Sequence, residues 1–144
     1  ILTVTQQDWS ALYDRFAEVT EDINMSRDTT LRELLPLVQG AEALAQKYDA
    51  VVTNPPYMAP TEHQKPYLLK NFKASKNDMA MAFMERNLAF CNKQGYSALI
   101  IFPTWMFLAS YEKLRKSIVS ENTIINMVYP GRGIFGSDFG TTVF

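Results

Sequence analysis

Asn54-Pro55-Pro56-Tyr57 is the segment whose residue types carry the most specific chemistry. Each proline fixes its own φ and lacks an N–H, so the segment offers acceptors rather than donors: the Asn54 side-chain oxygen and the main-chain carbonyls. Acceptors so arranged suit an amine. The exocyclic amine of a nucleobase is planar and weakly nucleophilic, because its lone pair is delocalised into the ring. Two acceptors holding its two hydrogens favour the pyramidal, nucleophilic form. Tyr57 follows at once and can stack on the ring that bears the amine, a contact worth about 1–3 kcal/mol per base. The same residues also suit a tight post-strand turn in which Asn54 caps the loop and Tyr57 packs.

Other chemistry-bearing residues are sparser. His63 stands alone in a polar loop, with no Cys, His or carboxylate pattern at metal-ligand spacing around it, so no metal site is expected. Lys65, Lys70, Lys73 and Lys76 follow the Asn-Pro-Pro-Tyr segment and fit either a solvated helix face or contacts to phosphates. Gly131-Arg132-Gly133-Ile134-Phe135-Gly136 matches the dinucleotide fingerprint G-x-G-x-x-G. The residues after it, Ser137 to Phe144, are too glycine-broken and β-branched to open a helix, and a hairpin loop is the expectation there.

The elements that must position these residues follow from periodicity. Asp8 can cap a helix carrying Trp9, Leu12, Tyr13, Phe16 and Val19, after an apolar start at Ile1 to Val4. A second helix is written in Leu31, Leu34, Leu35, Val38, Ala41, Leu44 and Ala45, with Pro36 and Gly40 predicting a late start or a bend. The β-branched run 48–53 predicts a strand ending at the prolines, which is the end where open α/β sheets bind ligands. A short helix is expected around Tyr67-Leu68-Leu69 and a longer one over 76–93, stopped by Gly95. The apolar run 96–102 reads as a strand buried on both faces, residues 104–119 as a helix, 124–129 as a third strand and 141–144 as the start of a fourth. Strands alternating with helices imply an α/β fold with a mostly parallel sheet; those at 48–53 and 96–102 should be parallel neighbours.

Composition bounds the rest. The chain has 144 residues, 47% of them hydrophobic, which suffices for one core and excludes disorder. Fourteen Lys plus Arg against fifteen Asp plus Glu give a net charge of −1, so any nucleic-acid binding must come from local residues rather than a general basic surplus. No apolar run approaches the roughly 20 residues that span a bilayer, so no membrane role is expected. The single cysteine, Cys91, excludes an internal disulfide and fits a cytoplasmic location. A start at Ile1 and a stop inside Thr141-Thr142-Val143-Phe144 suggest a fragment of a longer chain.

In this context the Asn-Pro-Pro-Tyr loop resembles that of the amino-group methyltransferases that use S-adenosylmethionine, where an (Asn/Asp/Ser)-Pro-Pro-(Tyr/Phe) loop follows a strand of a Rossmann-like sheet. The likeness extends to Asn77-Asp78-Met79-Ala80-Met81-Ala82-Phe83-Met84-Glu85-Arg86, and to Gly95 through Pro103 and on to Trp105-Met106. It implies that Asn54, Pro55, Pro56 and Tyr57 form the catalytic loop, that Tyr57 and Phe83 pack on the target base, and that Asn54 and Asp78 border the cofactor. Asp78 can equally be a helix cap, and Phe83 a core residue. More narrowly, Tyr48 through Pro60, Ser75-Lys76-Asn77-Asp78 and Trp105-Met106-Phe107-Leu108 are similar to the adenine-specific DNA methyltransferases of bacterial phage-resistance (BREX) systems, the PglX proteins. That implies double-stranded DNA with a flipped adenine as partner, other defence-system subunits as further partners, and methylation of the adenine N6 amine. Residues 1–47 are then a helical lead-in, and 48–144 the central and C-terminal part of the catalytic domain. Release-factor glutamine and ribosomal-RNA guanine methyltransferases share the loop but not the long helical segment, and a non-catalytic binding module is the remaining alternative.

The family's glycine-rich cofactor loop precedes this segment, and the only glycine before Asn54 is Gly40. The isolated 144 residues are therefore expected to bind S-adenosylmethionine very weakly or not at all in a calorimetric titration. Micromolar binding would redirect attention to the loop from Gly131 to Gly136.

Overall fold

The computed structural model describes residues 8–21, 25–134 and 140–144. They fall into two compact units, 1–47 and 48–144. The predicted apolar start at Ile1 to Val4 lies outside the described residues.

Among the described residues of the first unit are two helices, α1 (Trp9–Glu21) and α2 (Met25–Ala45). Asp8 caps α1, its Oδ1 accepting from the Ala11 N–H at 3.0 Å. Trp9, Leu12, Tyr13, Phe16 and Val19 are the half-buried positions of that helix, as their spacing predicts. In α2 the expected late start is not seen, because the helix begins at Met25 and runs through both Pro36 and Gly40. Its half-buried stripe, Leu31, Val38, Ala41 and Ala45, holds one helical face on both sides of the proline. Tyr13 Oη donates to Glu42 Oε2 at 2.6 Å and ties α1 to that face.

The second unit is α/β. Strands β1 (Tyr48–Thr53) and β2 (Cys91–Ile101) are parallel neighbours, with Ala50 opposite Tyr96 and Thr53 opposite Leu99. The crossover between them carries α3 (Lys65–Asn71) and α4 (Met79–Phe90). After α5 (Glu112–Glu121) come β3 (Val128–Gly131) and β4 (Thr141–Val143), in the order β1-β2-β4-β3. β4 lies antiparallel to both β2 and β3. Three strands therefore share one direction, and the fourth is inserted against them.

Several boundaries differ from expectation for identifiable reasons. The helix expected over 76–93 is α4, Met79–Phe90: it starts after the Asp78 cap, and it ends before 93 because Cys91 already has extended backbone and pairs with Tyr48. Gly95 instead lies where the β1–β2 register shifts. A Cβ there would stand 3.0 Å from the Tyr48 carbonyl and 3.1 Å from Asn92 N and O, so only glycine fits without movement. The helix expected over 104–119 is broken. Two short 3₁₀ turns, Pro103–Met106 and Ala109–Tyr111, precede α5, and Leu108 between them is extended. Burial of the Trp105 side chain holds the first of these turns against the core. Strand β3 starts at Val128 rather than 124, and residues 122–127 have no regular structure.

The core lies on one face of the sheet. Ala80, Met81 and Met84 from α4 pack with Leu99 and Ile101 from β2, Trp105, and Leu114 and Ile118 from α5. The expectation that β2 is buried on both faces fails, since Tyr96 is 64% exposed, and Val52 on the neighbouring strand β1, opposite Ala98, is 78% exposed. One polar residue crosses the covered interface. Asn87 of α4 is buried, and its Nδ2 donates to the Val51 carbonyl and to Ser97 Oγ, both at 3.2 Å, joining the helix to both strands.

Replacing Asn87 with Ala removes both bonds and should lower the unfolding free energy by about 1–3 kcal/mol, read from the urea midpoint. Ser97→Ala leaves the bond to Val51 and should cost less.

Candidate active site

The Asn54-Pro55-Pro56-Tyr57 loop leaves the C-terminal end of β1 with Pro55 buried and the other three residues exposed. With no N–H on either proline, the loop is fastened through its last residues. Tyr57 reaches across to the neighbouring strand, where its hydroxyl donates to the Ile100 carbonyl at 2.7 Å. Its ring lies against Phe102, with centroids 4.4 Å apart and planes at 39°. Burial raises the pKa of this hydroxyl above the ordinary tyrosine value. The next residue, Met58, accepts the Met79 N–H through its carbonyl at 3.1 Å, which ties the loop to the start of α4.

Asn54 is not used in this fastening. Its side chain is exposed and makes no hydrogen bond among the described residues. The turn expectation, in which Asn54 caps its own loop, is thus not what the geometry shows, although Tyr57 does pack.

Asp78 sits at the N-cap of α4, with Oδ1 accepting from Ala80 N at 2.8 Å and Met81 N at 3.3 Å. Together with the Met58 carbonyl it satisfies the first three N–H groups of the helix. Tyr111 is near enough that its hydroxyl pKa is raised, first by burial and then by the Asp78 charge. Phe83 is one turn beyond Met79 on α4. It is not a core residue, being 37% exposed while its neighbours Ala82 and Met84 are buried. No ring contact joins Phe83 to Tyr57 among the described residues.

The weaker candidates resolve simply. His63, Lys70, Lys73 and Lys76 are exposed, and Lys65 pairs with Glu62. No cluster of three His, Cys, Asp or Glu side chains suited to a metal occurs among the described residues. Gly131, the last residue of β3, and Gly133 just after it both have positive φ, and β3 pairs antiparallel with β4. A strand-to-strand connection is the hairpin expected there, not the strand-to-helix turn of a dinucleotide site. Residues 135–139 of that loop lie outside the described residues. Phe102 and the Ile100 carbonyl were hidden in the sequence, which marks them only as the end of an apolar strand.

A family model, the Eco57I restriction-modification methylase, matches residues 4–135. The chain belongs to this family. It is 34% identical to the adenine-specific methyltransferase BrxX of Escherichia coli O9:H4 (strain HS), over 99% of this chain and 12% of that protein. It is 37% identical to the adenine-specific methyltransferase PglX of Lacticaseibacillus casei (strain Zhang), over 77% of this chain and 9% of that protein. The chain thus spans about a tenth of the length of the curated relatives it matches. The mixed α/β unit described above is compatible with a methylase fold, and among the described residues no helix is long and apolar enough to cross a membrane.

In this family member the Asp78 carboxylate has a capping task that any cofactor contact must share. Asp78→Ala should destabilise by about 1 kcal/mol in thermal unfolding, whereas Asp78→Asn, also a good cap, should stay close to the parent.

Proposed function

We propose that the protein containing this chain transfers a methyl group from S-adenosylmethionine to the N6 amine of adenine in DNA, within a restriction-modification or phage-defence system. The observation that carries it is the exposed, unengaged Asn54 amide next to a tyrosine ring fixed in place at the C-terminal end of β1. Both relatives named above are called adenine-specific methyltransferases, which supports the same choice of base.

The chain's own contribution is positioning and polarisation. An adenine must leave the duplex to present its amine to a loop at a strand end. The Asn54 Oδ1, together with a loop carbonyl, would accept hydrogen bonds from the two amine hydrogens and draw the lone pair out of conjugation. The N–C bond forms as the donor's methyl S–C bond breaks, the sulfonium leaves as a neutral thioether, and the surplus amine proton is lost to water. Tyr57 offers the free part of its ring as a platform for the purine, and Phe83, exposed on α4, is the second apolar surface at hand. S-adenosylmethionine, when bound, supplies a methyl group already activated by its sulfonium. Asn54 fits a place beside it, since its side chain is not committed elsewhere; Asp78 has one oxygen spent on capping and the other available. Residues 48–144 then form part of the catalytic domain and residues 1–47 a helical lead-in. DNA methylation in a bacterial defence system places the protein in the cytoplasm, with DNA and other defence subunits as partners. Exposed Lys70, Lys73 and Lys76 are suited to phosphates near the extruded base.

In the full-length protein, Asn54→Ala should cut single-turnover methylation by a factor on the order of 10²–10³, as for loss of one transition-state hydrogen bond, with little change in DNA affinity. Tyr57→Ala should weaken binding of a duplex mismatched at the target adenine as well. Tyr57→Phe keeps the ring packing and loses one bond worth about 0.5–1.5 kcal/mol, so its effect should be mild. Methylation by Asn54→Ala at close to the parent rate would reduce the loop to a structural turn.

A further inference from the structure

We propose that Phe102 is a positioning residue that sets the plane of the Tyr57 ring, so that Tyr57 meets an incoming planar base at a fixed tilt. The inference rests on the methyltransferase reading of the loop and adds to it a residue outside the Asn-Pro-Pro-Tyr segment.

Tyr57 is held at two points with different geometry. The hydroxyl bond to Ile100 O anchors the far end of the ring but leaves the ring free to rotate about its long axis. Contact with Phe102, at 4.4 Å between centroids, blocks that rotation and covers one part of the ring. The remaining surface, with the residue 37% exposed, is open to a second ring. A tyrosine whose tilt was not fixed would lose conformational freedom each time a base stacked on it, so fixing it beforehand favours the stacked state.

Phe102 can serve as such a stop because its own backbone is held. Ile101 before it is 0% exposed and Trp105 after it 2% exposed, and Pro103 restricts the chain between them. Arg115 Nη1 donates to the carbonyls of Trp105 at 2.8 Å and Leu108 at 2.6 Å, which pins the turn that follows Phe102 to α5. The Phe102 ring is therefore mounted on a fixed base, at the same end of the sheet as the loop it supports.

A double-mutant cycle in the full-length protein tests this, with single-turnover methylation as one readout. Fluorescence of 2-aminopurine at the target position is the other, since it reports stacking of the extruded base. Phe102→Ala should slow methylation by about tenfold, the upper range for loss of an aromatic pair, and should raise 2-aminopurine fluorescence. In a Tyr57→Ala background the same change should add less than about twofold, because the ring it positions is gone. Phe102→Tyr should restore methylation, while Phe102→Leu, which keeps apolar bulk and folding but not the planar face, should not. If Phe102→Ala costs the same in both backgrounds, or Phe102→Leu rescues as well as Phe102→Tyr, Phe102 is ordinary packing and the inference fails. If Asn54→Ala is inactive but Tyr57→Ala is silent, the positioning role fails and the methyltransferase reading stands. If Asn54→Ala methylates normally, that reading fails first.

Discussion

Two consecutive prolines remove two successive N–H groups from the segment after β1, and the arrangement around the site follows from that constraint. A loop with no N–H at its two central positions has few main-chain bonds with which to close on itself, so it is fastened by what flanks it. Three attachments do this: Pro55 is buried, the Tyr57 hydroxyl bonds the carbonyl of Ile100 on β2, and the Met58 carbonyl receives the first N–H of α4. None of them uses Asn54. The residue with the most useful acceptor is left exposed because the fastening is done by its neighbours.

Those attachments are only as firm as β2 and α4, and both are fixed by the same core. α4 contributes Ala80, Met81 and Met84 to the cluster that includes Leu99, Ile101 and Trp105, while Asn87 bonds the helix to β1 and β2 at once. Burying a polar side chain is costly unless it is satisfied, so the two Asn87 bonds also specify how far along the strands the helix sits. That position puts the Met79 N–H opposite Met58 O, and the Asp78 cap completes the helix start. Register in the core is thereby transmitted to the loop.

The rest of the sheet extends the platform without entering the site. β4 runs against its neighbours, and Gly131 at the end of β3 and Gly133 after it both have positive φ, which glycine adopts without steric cost. Phe144 continues the pairing by exchanging hydrogen bonds with Leu99 at 2.8 and 3.2 Å, and its ring packs at 4.9 Å from Trp105. Trp105 in turn anchors the segment on which Phe102 stands. The sheet face bearing Val52 and Tyr96 remains exposed within this unit.

Local chemistry alone made much of this legible. The β-branched run before two prolines identified β1 and its loop, Asp8 and Asp78 announced helix starts by residue type, and the spacing of Trp9 to Val19 gave the half-buried face of α1. Those features depend on periods and caps that a short stretch of chain decides for itself. Boundaries set by distant partners were not legible: α4 ends at Phe90 because Cys91 pairs with Tyr48, and the span 104–119 breaks because Trp105 is drawn into the core. The same holds within the site. That Asn54, Pro55, Pro56 and Tyr57 form an acceptor-rich loop at a strand end could be read from their types, whereas the support of Tyr57 by Phe102 and Ile100 exists only once β1 and β2 lie side by side. Sequence order places those residues far apart, and only the parallel register brings them within bonding distance.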